Sequence, residues 1–121
     1  MATGKPWRAC TAGIWAMRVG DRILVSGTTA THGSGEMIAP EDAGAQAVYI
    51  LDKIQASIEA LGGKLEDVVR TRIYLRDHRD WEAVARVHGR YLGHARPANT
   101  LIEVSNLIGG YGVEIEAEAM L

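Results

Sequence analysis

Val113-Glu114-Ile115-Glu116-Ala117-Glu118-Ala119-Met120-Leu121 alternates between apolar residues and, at its first three even positions, glutamate. Successive side chains of a strand point to opposite faces. Val113, Ile115, Ala117, Ala119 and Leu121 therefore share one face, and the three carboxylates share the other. Val69-Arg70-Thr71-Arg72-Ile73-Tyr74-Leu75-Arg76 alternates in the same way, with Arg70, Arg72 and Arg76 opposite its apolar side. If the two strands share a sheet, an arginine face and a glutamate face can lie together. Such a sheet has one side for its own core and one charged, partly apolar side that needs water or a partner. The chemistry is expected on that second side.

Working outward, Ile14 to Val19 and Arg22 to Thr28 read as a hairpin about Gly20-Asp21. His32 to Glu36 reads as a turn, with Met37-Ile38 a stub of strand after it. Pro40-Glu41-Asp42 opens a helix, since proline suits a first turn and acids complement the dipole there. Ala47, Leu51, Ile54, Ile58 and Leu61 form its apolar stripe, and Gly62-Gly63 ends it. Asp80 is the expected N-cap of a second helix, with Trp81, Val84, Val87, His88 and Tyr91 on or beside one face and Trp81 in the core. Gly93 and Pro97 stop that helix. Asn99 to Val104 is a strand with Thr100, Ile102 and Val104 on one face and Asn99, Leu101 and Glu103 on the other. The glycine-rich turn 109–112 leads to the last strand.

The predicted order is β-β-(β)-α-β-α-β-β, a single α+β domain over residues 1–121. Two helices can cover only one face of such a sheet. The other face is expected to carry Leu24, Tyr74 and Leu101 among its charges, and to be buried in a closed cyclic oligomer.

Composition narrows the function. The chain has 121 residues, 47% of them hydrophobic and 23% charged, as in ordinary globular domains. No apolar run approaches the ~20 residues of a membrane span. A single cysteine, Cys10, allows no intrachain disulfide, and no leader pattern is evident, so a cytoplasmic protein is expected. A net charge of −2 argues against nucleic acid as a partner, although residues 70–96 hold seven arginines against three acids. His88 and His94 are not at helical metal-ligand spacing, and no metal is expected.

Several strings together resemble the RidA/YjgF family of small trimeric imine and enamine deaminases, some of which carry the label L-PSP endoribonuclease. They are residues 19–27 (VGDRILVSG), 65–71 (LEDVVRT), 96–100 (RPANT), 102–104 (IEV) and 113–117 (VEIEA). The resemblance implies a chorismate mutase-like fold, a homotrimer whose sheets line a central β-barrel, and clefts between subunits where a 2-imino or enamino acid is hydrolysed to the keto acid and ammonia without a cofactor. It implies pocket-wall and water-holding roles for Ser26 and Glu114. Asn99 stands where the family places an arginine to clamp the substrate carboxylate, Gly13 near its tyrosine, Leu101 at a cysteine position of some members, and His88 at a frequent tyrosine. A guanidinium grips a carboxylate through two charge-assisted bonds of roughly 1.5–3 kcal/mol each, which an amide does not supply. Either Arg72 or Arg96 replaces that cation, or the substrate lacks the carboxylate.

Individual residues keep two readings. Glu114 is either an ion-pair partner of Arg70 or Arg72, or the group that orients water. His88 is either a packing histidine at the edge of a helical stripe or an acid/base near neutral pH. Trp15 either packs or roofs the pocket. Ser26, Asn99, Arg72 and Trp15 are the candidate substrate contacts, with Glu114 and His88 as catalytic candidates. The alternatives are a non-catalytic metabolite-binding trimer and, behind it, an endoribonuclease.

Overall fold

Residues 15–121 are described in the computed structural model of the chain, so Cys10, Gly13 and Ile14 lie outside the described residues. Strands β1 (Ala16–Val19) and β2 (Arg22–Thr28) form the expected hairpin. Its turn starts at Gly20, whose φ of 59° suits glycine at the first position of a two-residue loop. Helix α1 (Ala43–Ala60) follows, then β3 (Val68–Leu75), α2 (Trp81–Leu92), β4 (Ala98–Glu103) and β5 (Val113–Met120). The Met37-Ile38 stub is only a single bridge, Thr31 to Met37.

The sheet order is β1-β2-β5-β3-β4. The last strand is central, antiparallel to both β2 and β3, while β3 and β4 are parallel. Both helices pack on one face, α1 against β2, β5 and α2. Here Ile23, Ile54, Ile73, Leu75, Val113 and Ile115 are buried to 1% exposure or less. This is the mixed α+β layout read from the sequence. Among the described residues no helix is long and apolar enough to cross a membrane.

The local signals hold at α1's end. Gly62 has φ 96°, its N–H donates to Glu59 O, and the Gly63 N–H donates to Ile58 O at 2.9 Å, closing the last turn. At its start, Pro40 and Glu41 precede the helix rather than open it. Asp42 is the N-cap, its carboxylate accepting from Ala45 N at 2.9 Å. For α2, Asp80 occupies the cap position without a side-chain bond. Asp77 caps instead the short turn 78–80 ahead of it. Trp81, the first residue of α2, is 54% exposed rather than core.

Two facings differ from the alternation. A register shift between Val68 and Arg70 buries Val68 and leaves Val69 45% exposed. On β4 the pairing of Thr71 with Asn99 and of Ile73 with Leu101 puts Asn99 and Leu101 on the helix side. Leu101 packs against the core, and Ile102 takes its place on the open face.

Candidate functional site

The open face of the sheet is built on β5. Glu118, Glu116 and Glu114 are paired in register with Arg70, Arg72 and Tyr74 of β3, and Glu118 also with Leu24 of β2. Exposed Met17, Val19, Ile102 and Met120 add apolar area beside these charges. Two of the carboxylates are engaged. Glu118 meets Arg22 at 3.1 Å and Arg72 at 3.6 Å. Glu116 accepts from the Tyr74 hydroxyl at 2.7 Å and lies 3.8 Å from Arg72. That hydrogen bond to a carboxylate raises the Tyr74 pKa, so its proton stays on. Arg76 leaves this face, its Nη1 donating to Gly110 O at 2.7 Å.

Glu114 differs from its neighbours. Among the described residues its carboxylate has no hydrogen-bond or ion-pair partner, so the pairing with Arg70 or Arg72 is not formed. Burial, and then the charge of Glu116, push its pKa above the usual 4.5. It lies against the bare backbone of Gly27 on β2. Next to it, Ser26 is tied to the chain before β1: its N–H and Oγ both donate to the Trp15 carbonyl, at 3.0 and 2.8 Å. Trp15 itself is half-buried. Glu114, Ser26 and Arg72 thus belong to one face of the sheet. A half-buried, unpaired carboxylate with a raised pKa can accept a proton from water and return it.

Asn99 and His88 are brought together on the opposite face. Asn99 Nδ2 donates to Thr71 Oγ1 at 2.9 Å, and Thr71 Oγ1 shares a hydrogen bond with His88 Nε2 at 2.8 Å. Thr71 is 1% exposed. Burial lowers the His88 pKa below 6.5, so the ring is neutral at pH 7. Within one protomer this relay and Glu114 are separated by the thickness of the sheet.

Sequence reasoning passed over three residues that shape these sites. Gly27 and Thr71 are the contact points just described. Gln46, 1% exposed on α1, accepts from Gly112 N at 3.0 Å and donates to Ala39 O at 3.2 Å, anchoring the loop that leads into β5. A polar residue within the helical apolar stripe was the available signal for Gln46. Gly27 offered none beyond being a glycine within a strand, which marks a bulge or close approach.

Elsewhere, a cleft of about 340 Å³ lies between Glu41, Asp42, Arg76, Asp77 and Asp80 and holds none of the candidate residues. Asp77, His78 and Glu103 bring ligating atoms within 4.8 Å of one another. Their atoms are already used: Arg79 grips Asp77 at 2.7 Å, and His78 Nδ1 and Glu103 stand 3.0 Å apart.

The family model described as endoribonuclease L-PSP matches residues 12–121. A RutC family protein of Pyrococcus abyssi is 33% identical over 104 residues, 86% of this chain and 82% of the relative. A YjgF-family structure from Mycobacterium tuberculosis superposes with a TM-score of 0.81 at 34% identity, covering 99% of this chain and 96% of that one. RidA from the Antarctic bacterium Psychrobacter gives a TM-score of 0.81 at 32% identity, covering 88% and 85%. With its sheet order, its helix-covered core and nearly its whole length matched, the chain belongs to the endoribonuclease L-PSP family, the family of YjgF and RidA.

Proposed function

We propose that the protein is a hydrolase that deaminates an imine or enamine of a small metabolite, in a cleft formed where the open face of its sheet meets sister chains of a homotrimer. The observation that carries this reading is Glu114, a half-buried carboxylate left without a charge partner beside two that have them. Water held by Glu114 adds its oxygen to the C=N carbon while its proton passes to the carboxylate. With the imine protonated, this gives the neutral carbinolamine, and Glu114 then passes that proton to the amino nitrogen. As ammonia leaves, the hydroxyl proton returns to Glu114 and the carbonyl forms, the last proton being released to solvent. A general base of this kind contributes about 10²–10⁴-fold. No cofactor takes part in these steps.

Substrate recognition differs from a carboxylate clamp. Asn99 is neutral, and its amide N–H₂ already donates to Thr71. Arg72 is on the Glu114 side but is drawn toward Glu116 and Glu118. An imine without an α-carboxylate fits this arrangement better than a 2-imino acid. Within residues 70–96, Arg72, Arg79 and Arg86 lie against carboxylates, Arg70 donates to Thr100 Oγ1 and Arg76 to Gly110 O. Five of the seven arginines there are thus engaged within the chain, which disfavours a phosphate-tracking groove and hence RNA cleavage.

The test generates imines in place, from amino acids with an amino-acid oxidase and from simple amines with an amine oxidase. Faster imine loss than in buffer, greater for the amine-derived set and abolished by Glu114→Gln, is expected. No acceleration in either set defeats the reading. Sedimentation equilibrium is expected to show a trimer, and a monomer would remove the cleft. The hydrogen bonds that tie Asn99 and His88 to Thr71 favour a second reading, a binder without turnover. Ligand-induced thermal stabilisation with no ammonia release would select it.

A further inference from the structure

The ladder between β2 and β5 pairs Val25 with Ala117 and resumes at Thr28 with Ile115, so one extra residue is inserted in β2. Val25 and Thr28 both stay on the buried side, at 3% and 2% exposure, while Ser26 and Gly27 between them face outward. The backbone at Gly27 does not itself call for glycine, since its φ is outside the left-handed region that Gly20 and Gly62 occupy. The reason is space. A Cβ on Gly27 would overlap Glu114 Oε2 and stand 3.0 Å from Cδ.

We propose that Gly27 is the positioning residue for Glu114: the bare backbone of the bulge is the berth in which the carboxylate lies, and a side chain there displaces it. Among the described residues no hydrogen bond or ion pair reaches Glu114 from the β2 side, where Ser26 and Gly27 are neutral. From β3 it faces Tyr74, whose hydroxyl is turned to Glu116, and Arg72, which pairs with Glu116 and Glu118. On its own strand the neighbouring charge is Glu116. The position of Glu114 therefore depends on steric fit over Gly27 rather than on an ion pair. Its catalytic consequence rests on the proposed reaction, but the steric coupling does not.

The experiment compares the full chain with G27A, E114D and G27A/E114D, following the carboxyl carbon at residue 114 by NMR titration. The atom that a new Cβ meets is the free end of a flexible side chain, so G27A is expected to fold. Its Glu114 is expected to titrate closer to an ordinary glutamate, and imine hydrolysis to lose about 10²-fold in kcat with little change in KM. Aspartate is one methylene shorter and clears the added methyl. The step from E114D to G27A/E114D should therefore leave the titration nearly unchanged, a non-additive cycle. Should G27A fail to fold while G27A/E114D folds, stability reports the same coupling. An unchanged Glu114 titration in G27A overturns the proposal. A shifted titration in a chain that hydrolyses no imine keeps the positioning role and rejects the deaminase.

Discussion

The two faces of β5 obey one alternation and are held in opposite ways. Val113, Ile115, Ala117 and Ala119 are between 0% and 3% exposed and need only apolar neighbours, which α1 and the adjoining strands supply. Glu116 and Glu118 need directed partners and have them in Tyr74, Arg72 and Arg22, while Glu114 has none among the described residues. Apolar burial is non-directional, so the core face is filled by any residues of suitable size and shape. The charged face is specified pair by pair, and an unpaired member stands out.

Substitutions that separate the two faces sharpen this contrast. Ile115→Ala, in the fully buried row, is expected to cost about 2–5 kcal/mol in urea unfolding. If it costs less than a charged-face substitution, the contrast fails. Thr71→Val removes the hydroxyl shared by Asn99 and His88 and leaves their groups without that partner, a loss of about 1–3 kcal/mol. A smaller loss would mean that water replaces the relay.

His88 predicts a pH dependence. Its folded pKa is below the ordinary 6.5, so between those two values the unfolded chain binds more protons than the native one. Stability is therefore fully present above pH 6.5 and declines as the pH falls through that window. His88→Gln should flatten this part of the curve.

Glu114 acts with the opposite sign. Its folded pKa is above 4.5, so the native state binds more protons between 4.5 and that value, and stability is lost as the pH rises through the window. Glu114→Gln is expected to be neutral to modestly stabilising at pH 7 while abolishing hydrolysis, measured by melts at pH 4 and 7. A destabilised variant would show that the carboxylate serves the fold. Smallest of all, Glu118→Ala on the partly exposed pairs should cost at most about 1 kcal/mol and less in high salt.

Much of the fold was legible because its signals are short-range. The hairpin at Gly20, the α1 stripe and the Gly62-Gly63 stop all depend on residues within a turn or two of each other. The misread features depend on distant partners. Leu101 and Asn99 were placed together correctly, but β4 is an edge strand with apolar residues at both parities, so alternation could not orient it. Only its parallel register with β3 turned them to the helices. Trp81 looked apolar and helical, but as the first residue of α2 it stands 54% exposed at the helix start, where the packing of the stripe does not reach it. Alternation alone left Glu114, Glu116 and Glu118 equivalent, so only the family resemblance singled out Glu114, and Gly27 could not be linked to it before the strands were paired.

Period-two geometry is a local property of extended backbone, so the chain alone determined which side chains of 70–75 and 113–119 share a face, and that one face would be dry and the other charged. Which strands lie side by side was decided only in three dimensions. Hydrogen bonding to both β2 and β3 places β5 in the centre, and the bulge in β2 brings Gly27 beneath Glu114. Backbone pairing joins residues far apart in sequence, and no local pattern encodes the partner.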